Sequence, residues 1–361
     1  MQKISTIVVT GFFLFSHFQG FPASLNVRQK VSFNQIIDIT TDTTASKFIK
    51  GADVSWLPEM EASGYTFYNT KGISEDCFKI LADHGINTIR LRTFVNPSND
   101  PINGHCSTSE TVAMAVRAKK WGMRILIDIH YSDSWADPSN QVKPAAWVGH
   151  DFARLLQDVS EYTTSVMMSL KNAGITPEWV QVGNEIPTGM IYPEGNTSNW
   201  VGLSQLINAG YDAVKKVSPV TKVILHIDQG NNTARLSSWF DHAITYKTRF
   251  DIVGLSYYPY WLTGNPDYTL SVKDLSISMN LIYSRYGKEV MIVEVGGEDF
   301  KTENTFDMLE AVKKIVKAVP YHKGLGLIYW EPEGAASWSH YGLSAWGKDG
   351  RPTKALQAFT D

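Results

Sequence analysis

Two glutamates follow directly on runs that read as buried β-strands. Glu185 closes the stretch Trp179-Val180-Gln181-Val182-Gly183-Asn184-Glu185, and Glu294 follows Val290-Met291-Ile292-Val293. Alternation places Val180 and Val182 on one face and Gln181 on the other, and Pro187 ends the ladder because it brings no N–H donor. A carboxyl mounted in this way stands at the rim of a sheet. Two such carboxyls can divide the work of glycoside hydrolysis: one stays protonated to donate to the leaving oxygen, and the other stays ionised to attack or to support developing positive charge. Their surroundings must then separate their pKa values. Spacing alone does not say which is which, and Glu, Asp and His gathered at one rim could also hold a cation. Against a metal, the chain has no His-x-x-x-His, no Cys-x-x-Cys and no calcium-loop pattern, so no metal and no cofactor is expected.

The elements that must position these groups alternate strictly. Ser74 is read as the cap of a helix with an apolar face of Phe78, Leu81 and Ala82; Gly85 ends it, and residues 86–94 form the next strand. Val112, Ala115, Val116 and Lys119 share a helical stripe before Gly122 and a strand over 123–130. Phe152, Leu155, Leu156, Val159, Val166, Met167 and Leu170 recur at helical spacing before Gly174 and the Glu185 strand. Further strands follow at 222–227, 251–257, 290–295 and 324–330, and residues 51–55 make the first. Eight strands with helices between them, and no composition break, give an α/β fold: a single (β/α)8 TIM barrel over 48–361.

Active sites of such barrels lie at the carboxyl ends of the strands. Those ends read Asp53, Ser55 and Trp56; Arg90 and Arg92; Asp128, His130 and Asp133; Asn184 and Glu185; His226 and Asp228; Ser256, Tyr257 and Tyr258; Glu294; and Trp330, Glu331 and Glu333. A barrel with no ligand has no reason to aim this much charge at one rim, where like carboxylates repel unless Arg, His or a ligand offsets them.

Composition narrows the partners. The 361 residues are 43% hydrophobic and 19% charged, as in an ordinary globular protein. A net charge of −3, with no basic run long enough to track phosphates, excludes nucleic acid as a partner. Aromatics reach 12%, with 11 Trp; such rings fill cores, and they also stack on the C–H faces of sugars. Residues 1–23 have the shape of a signal peptide, Lys3 followed by an apolar run, which predicts a secreted or periplasmic protein with no membrane contact after its removal. Residues 24–47 read as a polar, Thr-rich lead-in. The two cysteines, Cys77 and Cys106, are read either as a pair or as two buried thiols, Cys77 lying in a helical apolar pattern.

Several segments together resemble glycoside hydrolase family 53, the arabinogalactan endo-β-1,4-galactanases of the clan of retaining (β/α)8 enzymes. They are Gly51-Ala52-Asp53-Val54-Ser55, Asn87-Thr88-Ile89-Arg90-Leu91-Arg92, the string from Asp128-Ile129-His130-Tyr131 to Trp135-Ala136-Asp137-Pro138, Val182-Gly183-Asn184-Glu185-Ile186, His226-Ile227-Asp228, Ser256-Tyr257-Tyr258-Pro259 and Tyr329-Trp330-Glu331-Pro332. The resemblance implies a secreted monomer acting on β-1,4-galactan, with Glu185 as acid/base, Glu294 as nucleophile, and Asn184 on the sugar 2-hydroxyl. It further implies Arg90 and Tyr258 beside Glu294, Arg92 orienting Arg90 or meeting substrate, Trp330 as a platform at the cleavage point, and Trp135, His130, Asp133, His226 and Asp228 as sugar contacts. Trp56 stands where the family often has a small residue, and the short loop after Glu294 leaves little room for the calcium-bound loop of some members. Alternative readings are a related enzyme acting on β-1,4-mannan or β-glucan, and a barrel that binds glycan without cutting it. A binding module needs no paired acids, which weighs against the latter.

Overall fold

The structure, a computed structural model, describes residues 48–360; the signal peptide expected over 1–23 and the lead-in over 24–47 lie outside the described residues. Eight parallel strands close a barrel: β1 (Ile49–Asp53), β2 (Thr88–Thr93), β3 (Arg124–Ile129), β4 (Trp179–Val182), β5 (Lys222–Ile227), β6 (Ile252–Tyr257), β7 (Glu289–Val295) and β8 (Gly324–Trp330). Each strand bonds to its neighbours in sequence, and β1 pairs with β8 from Ile49 opposite Gly326 to Asp53 opposite Trp330. The helices that return the chain are α1 (Cys77–Asp83), α2 (Thr108–Lys120), α3 (Phe152–Asn172), α4 (Trp200–Val217), α5 (Thr233–Thr245), α6 (Val272–Tyr286), α7 (Thr302–Lys317) and the single turn α8 (Lys354–Gln357). This is the (β/α)8 barrel expected, and among the described residues no helix is long and apolar enough to cross a membrane.

Two apolar layers follow from the strand period of two. Ile49, Leu126, Trp179, Ile224, Ile252, Met291, Val293 and Ile328 fill the barrel, while the alternate residues, such as Ile89, Leu91, Ile127, Val180 and Leu255, pack outward against the helices. Gly254 belongs to the inner layer, where a Cβ would lie 2.8 Å from Ile224 Cγ2 and 3.0 Å from Val293 Cγ2.

Some local expectations shift. The cap of α1 is Asp76, whose Oδ1 accepts from the Phe78 amide at 2.8 Å, and Ser74 instead bridges to Tyr68. In α2 the buried residues are Thr111, Met114, Ala115 and Ala118, and Lys119 is exposed, so the face is turned about one residue from the expected stripe. Thr111 on the buried face is satisfied there, its Oγ1 donating to Arg92 O at 2.9 Å. Cys77 and Cys106 are both buried free thiols.

Candidate active site

Six polar residues near the strand ends are held on the inner face by the same period of two. Asp53, Arg90, Arg92, Asp128, Gln181 and His226 are all buried above the apolar barrel layer. Arg90 is the hub. Its Nε donates to Gln181 Oε1 at 2.8 Å, Nη1 to Asp53 Oδ2 at 2.8 Å, and Nη2 to Asp128 Oδ2 at 2.9 Å and Asn184 Oδ1 at 3.0 Å. The same Nη2 lies 2.8 Å from Glu294 Oε1. Burial disfavours the guanidinium charge, but Asp128, Glu294 and Asp53 outweigh it and raise the Arg90 pKa. Asp128 answers in kind: burial works against its charge, yet Arg90 and then His130 pull it down to about 2.

Glu185 leaves β4 through a broken backbone. Gly183 has φ +87°, a conformation in which a side chain is strained, and its Cβ would meet Ile186 Cγ2 at 2.9 Å. Glu185 follows at φ 39°, the left-handed region that non-glycine residues seldom occupy outside functional sites. Gln141 over-determines this turn: its Nε2 donates to Asn184 O at 2.9 Å and to Glu185 O at 3.0 Å. Asn184 is fixed as an amide, Nδ2 to Ala136 O at 2.8 Å, with Oδ1 taking the Arg90 bond.

Glu294 reaches the site by a bulge. Met291 and Val293 face into the barrel, so strict alternation would turn Glu294 outward toward the helices. The register between β6 and β7 shifts between Leu255 and Ser256, where Leu255 faces Ile292 but Ser256 faces Glu294, and Val295 returns to the outer layer. The extra residue aims Glu294 at the mouth.

The two carboxyls then meet different partners. Ser256 Oγ lies 2.5 Å from Glu185 Oε1, where a hydroxyl can donate to the ionised acid or accept from the protonated one. Tyr258 OH donates to Glu294 Oε2 at 3.3 Å, beside the Arg90 contact. Glu185 is partly open to the cleft, but the walls around it exclude enough water to push its pKa well up; burial is the first cause and the nearby Glu294 charge the second. Burial also pushes Glu294, up to about 7, against the pull of Arg90. Arg90 acts directly on one carboxyl and only remotely on the other, so when one of the two ionises it is Glu294.

Other expected contacts fall into two groups. His130, Trp135, Asn184, Tyr258 and Trp330 line a cleft of about 520 Å³ with both glutamates. His130 is held by Asp128 at 2.8 Å and by the Ala136 amide at 3.0 Å. The rest lie elsewhere. His226 is fully buried, its Nε2 2.7 Å from Ser256 Oγ, so it orients the partner of Glu185 and does not reach a sugar. Burial lowers its pKa well below the usual histidine range and keeps it neutral. Asp133 accepts from the amides of Asn96 and Ala145, at 3.0 and 2.8 Å, and so ties loops together. Both oxygens of Asp228 take Arg235 Nη1 at 2.6 Å. Arg92 is buried under the aromatic floor, bonded to Glu331 and stacked 4.3 Å from Trp135 and 5.4 Å from Trp56. Trp56, noted as unusual in the sequence, is the edge-on neighbour of Trp135, Trp330, Trp338 and Tyr341.

Sequence reasoning missed Gln141 and Tyr341. Both sit in loops with no periodicity. Tyr341 lines the cleft and packs edge-on to Trp330 at 4.8 Å, and the only cue was the aromatic-rich run after β8. Beneath the floor, Glu331 (φ 46°) accepts from Arg92 and the Trp56 amide, while Glu333 is fully buried with no well-aligned donor on either oxygen among the described residues. Burial first, and the Glu331 charge second, push Glu333 well up; burial pushes Glu331 up to about 7. A carboxyl raised in the folded state ionises first in the unfolded chain, so its stabilising effect is full below the ordinary value of 4.5 and is lost as pH rises above it, through about 7 for Glu331. Glu333→Gln, which keeps the shape without the charge, should therefore raise the melting temperature at pH 8 by about 2–4 °C and change it little at pH 4. Thermal scans at both pH values test this, and an equal effect at both would disprove it.

Comparison with known proteins agrees with this geometry. The model described as "Glycosyl hydrolase family 53" matches residues 49–359. An arabinogalactan endo-beta-1,4-galactanase of Thermothelomyces thermophilus is 32% identical over 314 residues, covering 81% of this chain and 90% of the relative. A solved structure from a study of two fungal beta-1,4-galactanases superposes with a TM-score of 0.78 at 30% identity, covering 86% of this chain and 98% of that one. The catalytic domain of a second solved member, from Ignisphaera aggregans, also gives a TM-score of 0.78, at 26% identity over 86% of this chain and 95% of that one.

Proposed function

The chain belongs to glycosyl hydrolase family 53 and is a glycoside hydrolase, and from that premise we propose that it is a secreted endo-β-1,4-galactanase that cuts the galactan of type I arabinogalactan with retention of configuration. The observation that carries the mechanism is the pair of carboxyls with opposite support, Glu294 on Arg90 and Tyr258, and Glu185 on Ser256. Glu294, ionised, attacks the anomeric carbon. As the bond from that carbon to the leaving oxygen breaks, Glu185 passes its proton to the oxygen. In the second step Glu185 takes a proton from water, the water oxygen bonds to the anomeric carbon, and Glu294 leaves with its electron pair. Asn184, locked between Arg90 and Ala136, holds the sugar 2-hydroxyl, a bond that strengthens as the transition state forms. Trp330 supports the sugar at the cleavage point. Activity spans the pH window in which the pair keeps a single proton, and both limbs belong to the pair as a whole.

The substrate follows from the Thermothelomyces thermophilus relative, an arabinogalactan endo-beta-1,4-galactanase. Incubation with purified galactan, mannan and cellulose in parallel, with new reducing ends measured, should give release from galactan and a fast fall in its viscosity. Release from mannan or cellulose alone would replace galactan by that polymer.

A further inference from the structure

A second charged cluster stands apart from the cleft, where the segments that follow β1 and β2 meet. Glu59 lies in the short helix Leu57–Ala62, His105 in the loop after β2, and Glu110 in the first turn of α2. None of the three borders the cleft. His105 Nδ1 is 2.8 Å from Glu110 Oε1 and 3.2 Å from Glu59 Oε1, and one ligand atom of each residue lies within 4.8 Å of the other two. With metal bonds of about 2.0–2.1 Å, the corners of a tetrahedron are roughly 3.3 Å apart, so these atoms already stand near the spacing of a zinc site. The three come from separate segments, and no short motif in the sequence announces them.

Two carboxylate oxygens and an imidazole lone pair repel unless a positive charge sits among them, either a proton on Nδ1 or a metal ion. The surroundings favour the ion. Glu110 is fixed from behind, its Oε2 accepting from the Ser107 amide at 2.7 Å and from the Ser107 hydroxyl at 2.6 Å, and the Asn99 carbonyl takes a hydrogen bond from the His105 ring. Outer partners of this kind orient metal ligands. A hollow of about 20 Å³, room for about one water, borders all three residues. Buried Arg92 lines it as well, and its Nε and Nη2 have no partner among the described residues, so a water completing the ion's shell has donors to accept from. The Arg92 charge is itself balanced by Glu331. Cys106 turns its thiol the other way, toward Ser55 O at 3.7 Å.

We infer that Glu59, His105 and Glu110 bind a divalent cation of the zinc type, with water in the fourth position. One nitrogen and two carboxylates suit zinc, whereas calcium takes about six to eight oxygens. The ion's role is structural. It pins the loop whose Ile102 carbonyl accepts from Trp56 Nε1 at 3.0 Å and whose Asn103 Oδ1 accepts from Trp135 Nε1 at 3.1 Å, and so steadies the aromatic floor of the cleft. The test titrates chelator-treated, dialysed protein with ZnCl₂ in a calorimeter. The parent should bind about one equivalent with a micromolar or tighter Kd, and its melting temperature should rise by about 2–4 °C at saturation. His105→Ala and Glu59→Gln should each weaken binding at least tenfold, whereas Glu294→Gln, at the other paired acid site, should leave it unchanged. Co²⁺ in place of zinc should give the visible absorption of a four-coordinate site, lost in His105→Ala. No heat of binding in the parent up to about 0.1 mM zinc, or binding that both His105→Ala and Glu59→Gln retain, overturns the inference. Binding is read without substrate, so neither outcome bears on the proposed function.

Discussion

Glu294→Gln is expected to lower kcat on galactan by about 10⁴-fold or more, with the far-UV circular dichroism of the parent retained. The amide is the same size; its oxygen can still accept from Arg90 while its NH2 donates to the Tyr258 hydroxyl, so the site keeps its shape. What is lost is the electron pair that forms the bond to the anomeric carbon. Lost too is the charge that, after burial, does most to keep the proton on Glu185. Binding of galactan should persist, because Trp330, Trp135 and Asn184 are unchanged. Activity within tenfold of the parent would remove Glu294 as the nucleophile.

Arg90→Met should cost both catalysis and the fold: a loss of about 3–5 kcal/mol in stability together with activity lowered by at least ~10³-fold. Methionine fills the space, but Asp53, Asp128 and Glu294 then share a buried site with no cation. In the parent, the depressed pKa of Asp128 contributes stability that is present above its ordinary value of 3.8 and is lost only as pH falls through about 2. Without Arg90 the sign reverses. The buried carboxyls are then raised, ionise first in the unfolded chain, and destabilise the fold as pH climbs. The gap in melting temperature between parent and variant should therefore widen from pH 3 to pH 7. A constant gap would show that the guanidinium acts by packing and not by charge.

Much of this site was open to reading from residue order because the period of two is a strict geometric rule. Arg90 and Arg92 had to share a face, as did Asp128 and His130, and every strand end had to point at one rim. Chemistry at the rim was therefore visible, and so was the closure into eight strands. Local pattern could not show who meets whom across the barrel. His226, Asp133 and Asp228 carry the right polar groups for sugar contact, yet partners that the strand pattern does not reveal, Ser256, Ala145 and Arg235 among them, engage them first.

The sequence by itself determined the barrel, the inner face of each strand, and Glu185 as an acid presented by the Gly183-Asn184 break, because these depend on alternation and on residues adjacent in the chain. Only the tertiary structure decided Glu294. By alternation it belongs to the outer layer with Ile292, and it faces the cleft because a bulge against Ser256 inserts one residue into β7. Tertiary contact also set the division of roles between the two acids. Charge and burial act through space, and Arg90, about two hundred residues earlier in the chain, lies against one carboxyl and not the other.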